Sequence, residues 1–149
     1  MSKPGLPSYE TTIHVRDNCM CLHVQRAARA LARRFDDALK PVGLTNQQFS
    51  LLMSLNRPQP PRMKEVALLL ALDRTTLTAN LKPLERRGLL AVAPDPEDRR
   101  GRRLVLTDAG RELLADALPH WARTEEEIER AVTAPDSMRA DLKALAALS

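Results

Sequence analysis

A chain of 149 residues is the length of one ordinary domain and is enough to close a hydrophobic core. Its apolar fraction of 44% and charged fraction of 28% are those of a soluble globular protein, and a formal charge of +4 is compatible with a polyanionic partner without proving one. No run approaches the roughly eighteen apolar residues of a membrane helix, and the first residues lack the apolar centre of a signal peptide, so no membrane partner is expected.

Five glycines, 3% aromatics and an abundance of Ala, Leu and Arg lean the chain towards helix. Residues 1–8 are spaced by Pro and Gly and are expected to fray. A long helical pattern follows from about Thr12 to Lys40, with Val24, Ala28, Leu31, Phe35 and Leu39 at helical spacing, and Pro41 and Gly43 stop it. Within it Cys19 and Cys21 are two apart, so on a helix they point to opposite sides and cannot pair. Two free thiols fit a reducing cytoplasm.

Thr45-Asn46-Gln47-Gln48 is a capping-box signature, and Phe49, Leu52, Met53 and Leu55 supply the next buried face. A short helix is expected from about Met63 to Leu70. After Ala71 and Leu72, Asp73 caps a helix from Arg74 to about Arg87, which Gly88 closes. Two short helices joined by so brief a connection form a helix-turn-helix. Leu89–Ala93 and Arg103–Leu106 each read as a short strand around a polar, arginine-rich tip at 94–102, which makes a wing. Thr107 caps a helix carrying Leu113, Leu114, Ala117, Leu118, Trp121, Ile128 and Val132, with a kink expected at Pro119. Asp136 is read as the cap of a last helix bearing Met138, Leu142 and Leu145. The expected fold is therefore mainly α with a small β-hairpin wing. Residues 12–40 and 108–148 form a helical dimerisation region, and 44–107 form the winged helix-turn-helix, all in one domain of 1–149.

The charge distribution points to DNA. From Arg74 to Arg103 there are eight Lys/Arg against four Asp/Glu, whereas Asp108 to Glu129 holds seven acids and two arginines. On the helix from Arg74, Leu77, Leu81 and Leu84 make a narrow stripe that buries. The other side shows Thr75, Thr78, Ala79, Lys82 and Arg86, with Thr76 flanking. Threonines suit base edges and thymine methyls, and cations reach phosphates. A merely solvated face is the plainer reading of this helix alone. The wing tips the balance: Arg99, Arg100, Arg102 and Arg103 crowd one hairpin, where their repulsion asks for an anion, and narrow minor grooves attract arginine. Asp98 is placed to orient the Arg100 guanidinium.

Four runs resemble the MarR family of winged helix-turn-helix regulators in order and spacing. They are Asp73-Arg74-Thr75-Thr76-Leu77-Thr78, Leu84-Glu85-Arg86-Arg87-Gly88-Leu89, Asp95-Pro96-Glu97-Asp98-Arg99-Arg100 and Leu106-Thr107-Asp108-Ala109-Gly110. Leu44, Thr45, Gln48 and Phe49 match the start of that family's second helix, so the likeness covers roughly residues 20–130. It implies a homodimer that reads a pseudo-palindromic duplex, most simply as a repressor released by a small-molecule effector. It also implies an effector pocket, with His23, Arg26, Phe35, Phe49 and Met53 as its residues; arginine beside apolar side chains there suits an aromatic carboxylate or an acyl-CoA. Arg62, Lys64 and Ala71 depart from the family pattern, and Pro83 sits inside the recognition helix.

Cys21 matches the reactive cysteine of the family's organic-hydroperoxide sensors, but Phe35 and Asn46 stand where those sensors have tyrosines, and neither donates a phenolic hydrogen bond. The reading favours a buried, inert thiol, with peroxide sensing as the alternative. His14, Cys19, Cys21 and His23 invite a metal, yet only Cys19 and His23 share a face, and two ligands do not make a structural zinc site. No glycine-rich phosphate loop, nucleophile elbow or carboxylate pair is present, so neither enzyme nor cofactor is expected. A winged-helix module that binds protein alone is the alternative of another class.

Overall fold

The computed structural model describes residues 5–148; of the expected fraying at 1–8, residues 1–4 lie outside that range. The chain forms two compact units, the first ending at Arg34 and the second beginning at Phe35.

In the first unit, Ser8 caps α1 (Tyr9–Asn18), its hydroxyl accepting the Thr11 amide at 3.2 Å. The single helix expected over 12–40 is instead two helices. Cys19 is extended (φ −70°, ψ 109°), and α2 (Met20–Leu39) starts afresh beyond it and crosses into the second unit. The break has a local cause. The Asn18 amide donates to its own helix at His14 O, 2.8 Å away, which ends α1. The freed Cys19 carbonyl then accepts the His23 amide at 3.1 Å and has the His23 ring Nδ1 at 2.8 Å. Cys19 and His23 therefore do not share a helical face. Among the described residues of this unit none is buried, and Leu6, Tyr9, Val15, Met20 and Leu31 are exposed.

The second unit holds the core. A 3₁₀ turn (Lys40–Val42) and Gly43, at φ +71°, end α2. The Thr45–Gln48 box opens α3 (Asn46–Ser54), with Gln48 N–H donating to Thr45 Oγ1 at 3.2 Å and Thr45 N–H to Gln48 Oε1 at 3.0 Å. Asp36 Oδ1 accepts both the backbone and the side-chain N–H of Asn46, at 2.7 and 2.8 Å. Then come α4 (Met63–Leu70) and α5 (Arg74–Arg86). Between them Ala71 takes a left-handed conformation at φ 54°, the place where the family pattern has Gly. The helix continues through Pro83 to Arg86, and Gly88, at φ +72°, closes it.

The hairpin is longer than its sequence suggests. Strand β1 is Leu90–Asp95 and β2 is Asp98–Leu106, antiparallel from Leu90↔Leu106 to Pro94↔Arg102, with an irregularity at Pro94/Asp95. Only Pro96 and Glu97 form the tip, so the arginines expected in a loop lie on β2. Pro94 is tolerated because a two-stranded sheet consists of edge strands, where a missing N–H need not break a ladder.

Thr107 then makes a compact junction into α6 (Asp108–Arg130). Its hydroxyl donates to Gly88 O at 2.7 Å and accepts the Gly110 amide at 3.1 Å, while its own amide donates to Leu89 O at 3.2 Å. Gly110 is required here, since a Cβ would stand 2.2 Å from Leu89 O. Helix α7 (Pro135–Ala146) starts on Pro135, so Asp136 is not the cap; it lies in the first turn and pairs with Arg139 at 3.0 Å. Arg139 also binds Glu125 (2.8 Å) and Glu129, fastening α7 to α6, and these carboxylates raise its pKa.

Leu77, Leu81 and Leu84 of α5 bury as expected, against a core that includes Leu39, Leu52, Leu55, Val66, Leu90, Leu104 and Leu114. Helix α3 packs on α4 and α6, α5 on β1, and α4 on β2. Among the described residues no helix is long and apolar enough to cross a membrane.

Candidate nucleic-acid interface

The candidate interface is built on α5 and the hairpin. Asp73 caps α5: its carboxylate accepts the Thr76 amide at 2.8 Å and the Thr76 hydroxyl at 2.9 Å. Those two bonds hold Asp73 below its ordinary pKa of 3.8. With the leucine stripe buried, Arg74, Thr75, Thr76, Thr78, Ala79, Lys82 and Arg86 stand exposed, as expected. Their hydroxyls are not equivalent. Thr76 is spent on the cap, and Thr78 donates back to Arg74 O at 2.8 Å. Thr75 alone of the three has no hydrogen bond from its hydroxyl among the described residues, so it is the most available to a base edge.

On β2, Arg99, Arg100 and Arg102 are exposed, while Arg103 is tucked in with 21% of its side chain accessible. The ion pair expected between Asp98 and the Arg100 guanidinium does not form. Asp98 Oδ1 instead accepts the Arg100 backbone amide at 3.0 Å, because two positions on along one strand the side chain meets backbone before it meets the guanidinium. The carboxylate that organises the hairpin is Asp95, whose side chain is wholly buried. Its Oδ1 accepts the Glu97 amide at 3.0 Å and lies 3.3 Å from Arg103 Nε, and its Oδ2 lies 2.9 Å from Arg62 Nε. The Arg62 contact is an ion pair by distance without the alignment of a hydrogen bond. The Glu97 amide, then Arg103 and Arg62, hold Asp95 below its ordinary 3.8 against the opposing effect of burial.

Together α4, α5 and the hairpin enclose a cleft of about 440 Å³, whose rim carries Arg62, Lys64, Arg74, Arg100 and Arg102. Arg62 and Lys64 were not legible as members of this constellation, since nothing in the order of residues places the start of α4 beside the hairpin.

A second concavity, of about 360 Å³, lies between α3, α4 and α6. Phe49, Met53, Leu69, Leu118 and Trp121 line it, and the Phe49 and Trp121 rings stack at 6.4 Å. Phe49 and Met53 belong to the expected effector set. Trp121 and Leu118, three apart on α6, were legible only as core. Phe35 is half-buried in the same unit. In the first unit, His23 and Arg26 line a shallow surface of α2 with Arg29 and Arg33. Cys21 is exposed, contrary to the expected buried thiol, because α2 is clothed by no described residue of its own unit; the Gln25 amide approaches its Sγ at 3.4 Å.

Residues 44–101 match the model of the MarR family. The transcriptional regulator TtmR of Methylorubrum extorquens is 38% identical over 106 residues, which are 70% of this chain and 54% of that protein. The chain thus spans about half the length of the curated relatives first matched, TtmR and a 57% share of BadR of Rhodopseudomonas palustris. Among solved structures, the M. tuberculosis regulator MosR in complex with DNA is 38% identical with a TM-score of 0.80, the match covering 87% of this chain and 94% of that one. The repressor CouR bound to p-coumaroyl-CoA is 27% identical with a TM-score of 0.79 over 100% of both chains.

Proposed function

The chain belongs to the MarR family, and from that premise we propose that it is a homodimeric, sequence-specific DNA-binding transcriptional regulator. The observation that carries the reading is one cleft rimmed by Arg74 at the start of α5, Arg62 and Lys64 at the start of α4, and Arg100 and Arg102 of β2, beside the exposed face of α5. In this reading α5 enters the major groove with Thr75 and Thr78 towards the bases. Lys82 and Arg86 meet phosphates, and Arg99, Arg100 and Arg102 follow the adjacent minor groove. Homodimerisation accounts for helices α1, α2 and α7, whose apolar residues are exposed in the single chain.

The regulator works as a repressor, and a small organic effector releases it from DNA. The apolar groove under Trp121 supports this, and its stacked aromatic pair suits a planar aromatic acyl group. A similar repressor, CouR, is bound to p-coumaroyl-CoA, which makes an acyl thioester the first effector class to try. A second reading, peroxide sensing, gains from Cys21 being exposed in the single chain, before any dimer covers α2.

Enrichment from a random-sequence duplex pool tests the reading. The expected product is a pseudo-palindrome with half-sites about one helical turn apart, bound by a dimer and released by added salt. Failure to enrich any duplex would leave a winged-helix module that binds protein alone. With the enriched duplex, acyl thioesters and aromatic acids should release the protein while an organic hydroperoxide does not; hydroperoxide release abolished by Cys21→Ser would move the reading to redox sensing.

A further inference from the structure

A two-stranded ribbon has little core of its own, so something outside the sheet must fix where the wing stands. The bonds that do so converge on residues 60–62, just before α4. Arg62 makes an antiparallel bridge to Arg103, the Leu104 amide donates to Pro61 O at 3.0 Å, and Arg103 Nη1 donates to Pro60 O at 2.9 Å. The Arg62 guanidinium then spans the far end of the hairpin, with Nε 2.9 Å from Asp95 Oδ2 and Nη2 2.7 Å from Glu97 Oε2.

We infer that Arg62 is the positioning residue of the wing, setting where Arg100 and Arg102 stand relative to α5. The inference rests on the DNA-binding reading for its consequence but not for its geometry. A buried carboxylate is costly unless a cation answers each side of it. Arg103 serves Oδ1 of Asp95, so Oδ2 falls to Arg62. Gly101 keeps the space open: a Cβ there would stand 3.3 Å from Oδ2. The competing role for Arg62 is a direct phosphate contact, since its side chain is 44% exposed and borders the cleft. Against that, Nε and Nη2 already face two carboxylates, which a phosphate would have to displace.

The two roles separate experimentally. Hydrogen exchange on the free protein needs no DNA. In Arg62→Ala the amides of Glu97 and Leu104 should exchange about tenfold faster, while that of Leu114 in α6 keeps its protection. Arg62→Lys, which restores the cation but not the guanidinium that faces both Asp95 and Glu97, should recover part of it. If alanine lowers the melting temperature of the whole chain, Arg62→Gln keeps the stem and replaces it. On the duplex enriched by the wild type, Arg62→Ala should weaken binding about tenfold with the salt slope unchanged, whereas loss of a phosphate contact would flatten that slope by about 0.9. Arg100→Ala should also cost less in the Arg62→Ala background, as coupled positions do. Unchanged exchange at Glu97 and Leu104 overturns the inference, and so does a flattened slope with additive losses. If no duplex is enriched, the DNA reading fails, and the exchange result still decides whether Arg62 holds the wing.

Discussion

Helix α5 and the hairpin supply cations to the same cleft, yet they are held by opposite means. Leu77, Leu81 and Leu84 fasten α5 from beneath, each at 2% exposure or less, in a core that salt and pH barely touch. The hairpin shares that core through Leu90, Leu104 and Leu106, with Val92 packed against it, and its outer end is fixed by the charges around Asp95. Helix α5 can thus be held firmly while the hairpin beside it is adjustable, because ion pairs whose cations reach solvent respond to pH and salt and buried leucines do not.

The greatest effect is expected where the two regions meet. Gly110→Ala drives a Cβ into the Leu89 carbonyl and the Leu106 side chain, so it disturbs the exit of α5, the start of β1 and the cap of α6 together. A loss of ~3 kcal/mol or more in denaturant unfolding is predicted, near the upper end for overpacking. A loss below ~1 kcal/mol would mean that α6 approaches the hairpin less closely than described.

Acid should separate the two anchors. Asp95 has a folded pKa below 3.8, so its contribution is complete above that value and is lost as pH falls through the lower folded one. Asp73 has the same sign and loosens the first turn of α5 in the same window. Protection of the hairpin amides is therefore expected to fall on acidification below 3.8 before that of Leu81 and Leu84 does. Simultaneous loss at both places would show that the hairpin has no separate anchor.

The smallest effect concerns the turn that leads into α5. Ala71 holds φ 54°, a conformation that costs an L-residue ~1 kcal/mol or more and glycine almost nothing. Ala71→Gly should stabilise the protein by about 0.5 kcal/mol after the added freedom of the unfolded chain is subtracted, and a destabilised variant would contradict the assignment.

How far the sequence could be read follows the same division. Elements closed by local chemistry were legible: Thr45, Asp73 and Thr107 cap the helices they announce, and Gly88 ends α5. The leucine stripe named the buried side of α5, and with it the exposed one. Long-range contacts were not legible. Asp98 is the acid nearest Arg100 in sequence, but the organising acid is Asp95, whose partner Arg62 comes from a different element. Nor did the sequence announce the break at Cys19, which uses neither Pro nor Gly and depends on Asn18 turning back on its own helix. Pro94 and Asp95 read as turn residues, and so β1 looked shorter than it is.

If α5 and the wing form one DNA-binding surface, the salt dependence of binding by Arg100→Ala beside the wild type will show it. On the enriched duplex, Arg100→Ala is expected to bind at least about tenfold more weakly at moderate salt, with a log K against log salt slope shallower by up to about 0.9. Wild-type affinity and slope in Arg100→Ala would contradict it, for the wing would then lie outside the interface.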